Sequence, residues 1–227
     1  MGSVLEPGGV LELPEGEAHH VVRVLRGRTG DSVEVVDGTG RLFLAELRGG
    51  REAAVLEELT VSGTDVEVTL YQAVPKGGRM DLVVEKATEV GATTIVPLLA
   101  ERGVVSPREG KVGRWRRVAE AAARQALRLH VPHVGEPVAF EEAVMKVAET
   151  GVLLHNAPDL QPVETVVASP ASLFVGPEGG WSEAELRLAE EAGVAFGGLG
   201  PYRLRSETAG IIAVARASAA LESRVRP

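Results

Sequence analysis

The chain has 227 residues, of which 44% are hydrophobic and 25% are charged, a balance typical of a globular protein with one large domain or two smaller ones. It contains no cysteine, so disulfides, thiolate metal sites and cysteine nucleophiles are excluded. The formal net charge of −8 argues against non-specific nucleic-acid binding, although a local basic patch can override bulk charge.

Residues 1–64 have the pattern of a small β-barrel. Alternating apolar residues predict four strands, at 10–13, 32–36, 41–47 and 53–61. Asp37-Gly38 is a hairpin signal between the second and third strands, and residues 19–26 suit a short helix. Ser62-Gly63-Thr64 is a plausible linker, so we expect one domain at 1–64 and a second at 65–227.

From residue 66 onward, strands and helices alternate, which predicts an α/β domain with a mostly parallel sheet. The expected strands are 66–74, 93–99, 151–155, 172–175 and 195–199. The expected helices are 80–90, 111–129, 141–149, 182–192 and 206–223. Ser182 and Glu185 form a capping-box pattern that places the start of the fourth of these helices.

Two glycine-containing loops each follow a short predicted strand and lead into a helix: 176–180, with the sequence Gly-Pro-Glu-Gly-Gly, and a second within the segment 197–210. Taken alone, the first loop is equally compatible with a tight turn that binds nothing. Together, the two loops can form opposite walls of one pocket at the carboxyl ends of two strands. Neither loop matches a phosphate-binding or hydrolase motif, and the five histidines lack metal-binding spacing. Such a pocket suits a neutral, adenosine-like ligand.

Residues 102–128 carry eight basic and two acidic side chains, a local charge of +6. On a continuous helix, Arg114, Arg117, Arg124 and Arg128 would fall within an arc of roughly 80°. Arginine forks match phosphate geometry, so this stripe predicts an RNA or DNA backbone surface. A solvated face, or one paired with acidic neighbours, is the alternative.

Several motifs together resemble the RsmE family of ribosomal RNA uridine-N3 methyltransferases, which belongs to the SPOUT class. The strongest are the pair Val175–Gly180 and Leu199–Ala209. The segment Lys76–Gly91 and the histidine-containing stretch His19–Arg26 are also similar to family segments. This chain departs from the usual pattern at Arg124, Tyr202-Arg203 and Ser206.

The resemblance implies a trefoil-knotted SPOUT methyltransferase domain, an exception to the rule that chains are unknotted. It also implies a PUA-like, RNA-binding N-terminal barrel and a homodimer with its active site near the subunit interface. The expected cofactor is S-adenosylmethionine and the expected substrate is 16S rRNA of the small ribosomal subunit. With no metal, signal peptide or membrane-spanning stretch expected, we expect a cytoplasmic protein.

Residue roles carried over from the resemblance fall into three groups. Arg205 would stabilise negative charge on the uracil oxygens, and Glu207 would either accept the N3 proton or orient Arg205. The residues expected to contact the cofactor are Leu154, Gly176, Pro177, Glu178, Gly179, Gly180, Leu199, Gly200 and Leu204. The residues expected to bind RNA phosphates are Arg23, Arg26, Arg124 and Arg128.

Three alternatives remain open from the sequence. The first is a SPOUT methyltransferase that acts on another RNA, such as transfer RNA. The second is a non-catalytic RNA-binding protein that has kept the pocket. A nucleotide-binding hydrolase is disfavoured, because no phosphate-binding lysine follows the glycines.

Overall fold

The computed structural model describes residues 5–38, 40–60, 66–104, 107 and 110–225. The chain divides into two units. The N-terminal unit contains residues 1–63 and 127–130, and the C-terminal unit contains residues 64–126 and 131–227. The predicted linker Ser62-Gly63-Thr64 lies outside the described residues.

The N-terminal unit is built on a four-stranded antiparallel sheet with the order β1-β4-β3-β2. Its strands are β1 (Val10–Glu12), β2 (Ser32–Val36), β3 (Leu42–Gly49) and β4 (Glu52–Leu59). Alternate residues of β3 point to one face, where Phe43, Ala45 and Leu47 are buried in the core of this unit. The β-rich character predicted for this part of the chain is therefore confirmed, with β1 and β2 as the edges of the sheet.

The helix expected at 19–26 begins earlier and is less regular than predicted. Helix α1 (Glu15–His19) follows Pro14 and continues into a π-helical turn, His20–Val24. The turn ends before Arg26, whose φ of 59° is incompatible with a right-handed helix.

The C-terminal unit contains a parallel sheet with helices on both faces. Its main strand order is β11-β9-β10-β5-β6-β7, and β8 also pairs with β6. The strands are β5 (Val68–Ala73), β6 (Thr94–Leu99), β7 (His133–Val134), β8 (Val138–Ala139), β9 (Gly151–Leu154), β10 (Ala171–Val175) and β11 (Ala195–Gly197). The helices are α2 (Met80–Glu89), α3 (Lys111–Gln125), α4 (Phe140–Lys146), α5 (Val163–Val166), α6 (Glu183–Glu191) and α7 (Ser206–Val225).

The central strand β10 shows why the sheet is covered on both sides. All five of its residues are buried, as expected for a strand in a doubly covered parallel sheet. Leu173 packs into a core that includes residues of α2, α3 and α7. The next residue, Phe174, packs into a second core with residues of α4 and α6. The predicted α/β domain with a parallel sheet is confirmed.

The expected helix 111–129 is wrong at its carboxyl end. Helix α3 ends at Gln125, and Leu127 has a φ of 52°, so the backbone leaves the helix there. Arg128 is therefore not on α3 and belongs to the N-terminal unit. The predicted stripe of four arginines along one helix is reduced to Arg114, Arg117 and Arg124.

Candidate functional site

The carboxyl ends of three neighbouring parallel strands carry the predicted pocket. Strands β9, β10 and β11 run side by side in one direction, so their carboxyl ends meet at one edge of the sheet. A cavity of about 720 Å³ opens there, within the C-terminal unit. Ligand sites in open α/β sheets lie outside this edge of the strands.

All nine residues expected to contact a cofactor line this cavity. They are Leu154, Gly176, Pro177, Glu178, Gly179, Gly180, Leu199, Gly200 and Leu204. Arg205 also lines it, whereas Glu207 does not belong to the lining. Sequence reasoning missed further lining residues, including Arg102, His155, Asn156 and Trp181.

Glycine is required at two positions of the lining for different reasons. Gly200 has a φ of 113°, a conformation that residues with a Cβ rarely adopt. Gly176 is held against an indole ring, because a Cβ built on it would lie 3.0 Å from Cε2 of Trp181. A Cβ at position 176 would therefore require the loop or the indole ring to shift by a few tenths of an ångström.

Trp181 holds the first glycine loop against the end of β9. Its indole N–H donates a hydrogen bond to the carbonyl oxygen of Leu154, at 3.0 Å. Its ring packs against Phe140, with 5.0 Å between the ring centroids, and the residue is 4% exposed. Trp181 thus joins the end of β9 to the loop after β10.

The predicted capping box is confirmed, and its glutamate also contacts the segment after β6. Glu185 accepts a hydrogen bond from the N–H of Ser182 at 2.8 Å, and the Ser182 hydroxyl accepts one from the N–H of Glu185 at 3.2 Å. The other carboxylate oxygen of Glu185 accepts the N–H of Glu101 at 2.9 Å. The adjacent Arg102 donates to the carbonyl oxygen of Gly179 at 3.2 Å. One buried carboxylate therefore connects the start of α6 to the segment after β6.

The two residues predicted to be catalytic occupy different environments. Arg205 is exposed, and its side chain makes no hydrogen bond or ion pair to any residue that the structure describes. Glu207 is 6% exposed and forms a salt bridge with Arg79, with 3.3 Å between Nη1 and Oε1. Its other oxygen, Oε2, is buried without a hydrogen-bond partner among the described residues. Glu207 is thus paired with Arg79 rather than with Arg205.

The segment Lys76–Arg79, between β5 and α2, contacts both acidic residues near the cavity. The N–H of Lys76 donates to Glu178 at 3.0 Å, and Arg79 pairs with Glu207. Sequence reasoning had not assigned a role to Arg79. The pairing joins residues far apart in the chain, and no local pattern indicates it.

The four arginines predicted to bind RNA lie in three places. Arg23 is exposed on the π-helical turn, and Arg26 is exposed just beyond it. Arg124 is exposed in the last turn of α3. Arg128 is half-buried, and this burial lowers the pKa of its guanidinium below the usual value. On α3 itself, Arg114 is bound to Asp81, so part of the predicted basic face is neutralised.

None of the described helices has the length and apolar character needed to cross a bilayer. Within the described part of the chain, no three histidine or acidic side chains are grouped so that they could hold a metal ion.

Comparison with known proteins identifies the family. An RNA methyltransferase domain model matches residues 62–218, and an RNA methyltransferase PUA domain model matches residues 13–59. The ribosomal RNA small subunit methyltransferase E of Synechocystis is 36% identical over 97% of this chain and 78% of its own length. The chain belongs to the ribosomal RNA small subunit methyltransferase E family.

A second relative and two solved methyltransferase structures are also similar to this chain. The protein of Mycobacterium bovis is 34% identical over 92% of this chain and 86% of its own length. The crystal structure of the Neisseria gonorrhoeae enzyme, bound to S-adenosyl methionine, matches with a TM-score of 0.80 and 32% identity, covering 95% of this chain and 93% of that one. A structure from Legionella pneumophila with bound cofactor SAM matches with a TM-score of 0.78 and 30% identity, over 96% and 95% of the two chains.

Proposed function

We propose that this protein is an S-adenosylmethionine-dependent methyltransferase that methylates N3 of a uridine in 16S rRNA. One observation carries the proposal: the nine residues expected to contact the cofactor converge on a single cavity at the carboxyl edge of the parallel sheet. The family relative from Neisseria gonorrhoeae has S-adenosyl methionine bound, and the family name specifies small-subunit ribosomal RNA.

The residues of the cavity fit this cofactor. A volume of about 720 Å³ lies within the usual range for small-molecule sites. Leu154, Leu199 and Leu204 offer apolar surface for the faces of an adenine ring. The backbone N–H groups of Leu199 and Leu204 make no hydrogen bond within the described ranges, so they are available to the edge of a base.

In the proposed reaction, the methyl group is transferred from the sulfonium of S-adenosylmethionine to N3 of the uracil, and the sulfur keeps the electron pair of the broken carbon–sulfur bond. The N3 proton passes to solvent water. Because the donor is activated, the protein contributes mainly by positioning the two reactants. Arg205 is the lining residue suited to stabilise negative charge on the uracil oxygens as the N3 proton departs.

Glu207 has two proposed roles, and the geometry favours one of them. Its carboxylate is buried and paired with Arg79, outside the cavity lining. Glu207 follows Arg205 by two residues in the first turn of α7. Its pairing therefore fixes the start of the helix, and so the backbone that carries Arg205, which supports an orienting role over proton acceptance.

The RNA would be bound through its backbone and presented as a single unpaired base, because N3 lies on the Watson–Crick edge. Arg23, Arg26, Arg124 and Arg128 are the proposed phosphate contacts. The N-terminal unit, which matches the PUA domain model over residues 13–59, is the proposed RNA-binding domain, with the boundary near residue 64.

Three further properties of the family are proposed for this chain: a trefoil knot in the methyltransferase domain, a homodimer and a cytoplasmic location. The homodimer is supported by exposed apolar side chains on two packed helices, Leu82 on α2 and Ile212 on α7. Analytical ultracentrifugation of the purified protein tests it, and a sedimentation coefficient of a monomer at micromolar concentration would exclude it.

Two measurements test the function itself. Calorimetric titration with S-adenosylmethionine should show saturable binding, and small ribosomal subunits lacking the modification should accept a methyl group from the loaded enzyme. Arg205→Ala should retain cofactor binding while the methyl-transfer rate falls by about a hundredfold or more. Binding of RNA without any methyl transfer would identify a non-catalytic RNA-binding protein, and transfer to transfer RNA alone would identify a different substrate.

A further inference from the structure

A buried polar chain joins the central sheet to both walls of the cavity. Gln72, on strand β5, is 0% exposed. Its amide Nε2 donates hydrogen bonds to Oγ of Ser206 at 2.9 Å and to the carbonyl oxygen of the adjacent Ala73 at 3.0 Å. The Ser206 hydroxyl in turn donates to the carbonyl oxygen of Gly176 at 2.6 Å. Three segments distant in sequence therefore meet through one amide and one hydroxyl.

Burial of this amide lowers the stability of the core. Its oxygen, Oε1, is buried without a hydrogen-bond partner in the described part of the chain, and burying an unpaired polar atom costs free energy. Space for this oxygen depends on the glycine at position 210, because a Cβ on Gly210 would lie 2.1 Å from Oε1. An apolar side chain at the same position of the strand would bury no unpaired oxygen and would need no glycine at position 210. A role outside folding accounts for the glutamine better than stability does.

The position of Ser206 indicates what that role is. Ser206 is the first residue of α7, follows Arg205 directly and lines the cavity. Gly176 is the first residue after β10 and begins the first glycine loop. The hydroxyl of Ser206 therefore sets the separation between the loop that begins at Gly176 and the segment that ends at Arg205. Gln72 in turn fixes the position of that hydroxyl.

We propose that Gln72 is a positioning residue that acts through Ser206 to hold the two walls of the cavity at the spacing required by S-adenosylmethionine. The proposal rests on the proposed function, since it assumes that this cavity takes the cofactor. Gln72 does not line the cavity, so its proposed effect on the ligand is indirect.

Two substitutions interrupt the chain at different points. Gln72→Met keeps the length of the side chain and removes both the donor and the unpaired oxygen, so the fold should tolerate it. Ser206→Ala removes the hydroxyl. Each should raise the dissociation constant for S-adenosylmethionine by about tenfold, as loss of one buried hydrogen bond implies. The double variant should bind no more weakly than the weaker single variant, because both changes break the same connection.

Two controls separate positioning from general destabilisation. Thr88→Val removes another buried hydrogen bond, from the Thr88 hydroxyl to the carbonyl oxygen of Val84 at 2.7 Å on α2, away from the cavity lining. It should leave the cofactor affinity unchanged even if the unfolding midpoint falls. Ser206→Thr keeps the hydroxyl and should bind the cofactor within about twofold of the wild type.

The experiment is calorimetric titration of S-adenosylmethionine into the wild-type protein and these variants, with the unfolding midpoint of each measured without ligand. Unchanged affinity in Gln72→Met and Ser206→Ala overturns the proposal, as does an equal loss in Thr88→Val or a loss in Ser206→Thr equal to that in Ser206→Ala. If the wild type itself fails to bind the cofactor, the proposed function is wrong, and the two failures are thereby distinguished.

Discussion

Arg79, directly before α2, and Glu207, in the first turn of α7, form a salt bridge with 3.3 Å between nitrogen and oxygen. The carboxylate side chain is 8% exposed and the guanidinium side chain is 41% exposed, so water screens the pair from one side only. Through this contact, the start of the helix that follows Arg205 is tied to the start of a second helix.

Removing the arginine should therefore destabilise the protein. Arg79→Ala leaves a buried carboxylate without a partner and should lower the free energy of unfolding by about 1–3 kcal/mol, less than for a fully buried pair because Arg79 is partly exposed. Glu207→Gln in the same protein removes the charge and should recover at least half of the loss. Urea unfolding of the two single variants and the double variant measures this, and strictly additive losses would show that the two side chains do not interact.

A second prediction concerns the contact between Gly176 and Trp181. Gly176→Ala places a Cβ 3.0 Å from the indole, which itself is held by Leu154 and cannot withdraw freely. The first glycine loop should shift, and the dissociation constant for S-adenosylmethionine should rise by about tenfold or more.

A matched glycine substitution provides the control. A Cβ on Gly113, inside α3, would lie more than 4 Å from every atom beyond its chain neighbours and the nearby backbone of its own helix. Gly113→Ala should stabilise the protein by about 0.5–1 kcal/mol and leave the cofactor affinity unchanged. If Gly176→Ala binds the cofactor as tightly as Gly113→Ala does, the proposed place of the first loop in the cofactor site is wrong.

A third prediction separates the two functions of Glu185. Ser182→Ala removes only the helix cap and should cost about 1 kcal/mol. Glu185→Ala removes the other half of the capping box, the acceptor for the N–H of Ser182, together with the acceptor for the N–H of Glu101, and should cost about 1 kcal/mol more than Ser182→Ala. Denaturant unfolding of both variants tests this difference. Equal losses in the two variants would mean that the contact with Glu101 contributes nothing to stability.

A fourth prediction concerns RNA binding by the N-terminal unit. If Arg23 and Arg26 contact phosphates, changing both to Gln should reduce the slope of log K against log salt for a 16S rRNA fragment by about 1.4 to 1.8. Arg187→Gln, an exposed arginine on α6, provides a control for loss of charge and should leave the slope unchanged. An unaltered slope in the double variant would remove Arg23 and Arg26 from the RNA-binding surface.

The sequence predicted those parts of the structure that depend on neighbouring residues. The capping box of Ser182 and Glu185 is a pattern within four consecutive residues, and the structure has it as expected. The alternation of strands and helices predicted the parallel sheet, because each buried strand is a short apolar run. The failure at the end of α3 is also local: the φ of 52° at Leu127 removes Arg128 from the helix, and no glycine or proline at that position indicates the turn.

The site could be predicted only in part, because its supporting contacts are long-range. The paired glycine loops pointed to a pocket because each follows a strand and precedes a helix, and the family resemblance supplied the residues expected to contact the cofactor. Gln72 and Ser206 lie 134 residues apart, and an isolated glutamine in an apolar strand does not reveal its partner. The same holds for the pairing of Arg79 with Glu207. These contacts follow from the arrangement of β5, α2 and α7 in three dimensions.

Methylation of uridine N3 in 16S rRNA is tested by mass-spectrometric mapping of 16S rRNA from a strain in which this gene is deleted and then restored. We expect one uridine to lose its N3 methyl group in the deletion strain. The wild-type gene should restore the methyl group, and the Arg205→Ala gene should not. A 16S rRNA with an unchanged set of methylated uridines in the deletion strain would show that this protein does not methylate uridine N3 in 16S rRNA.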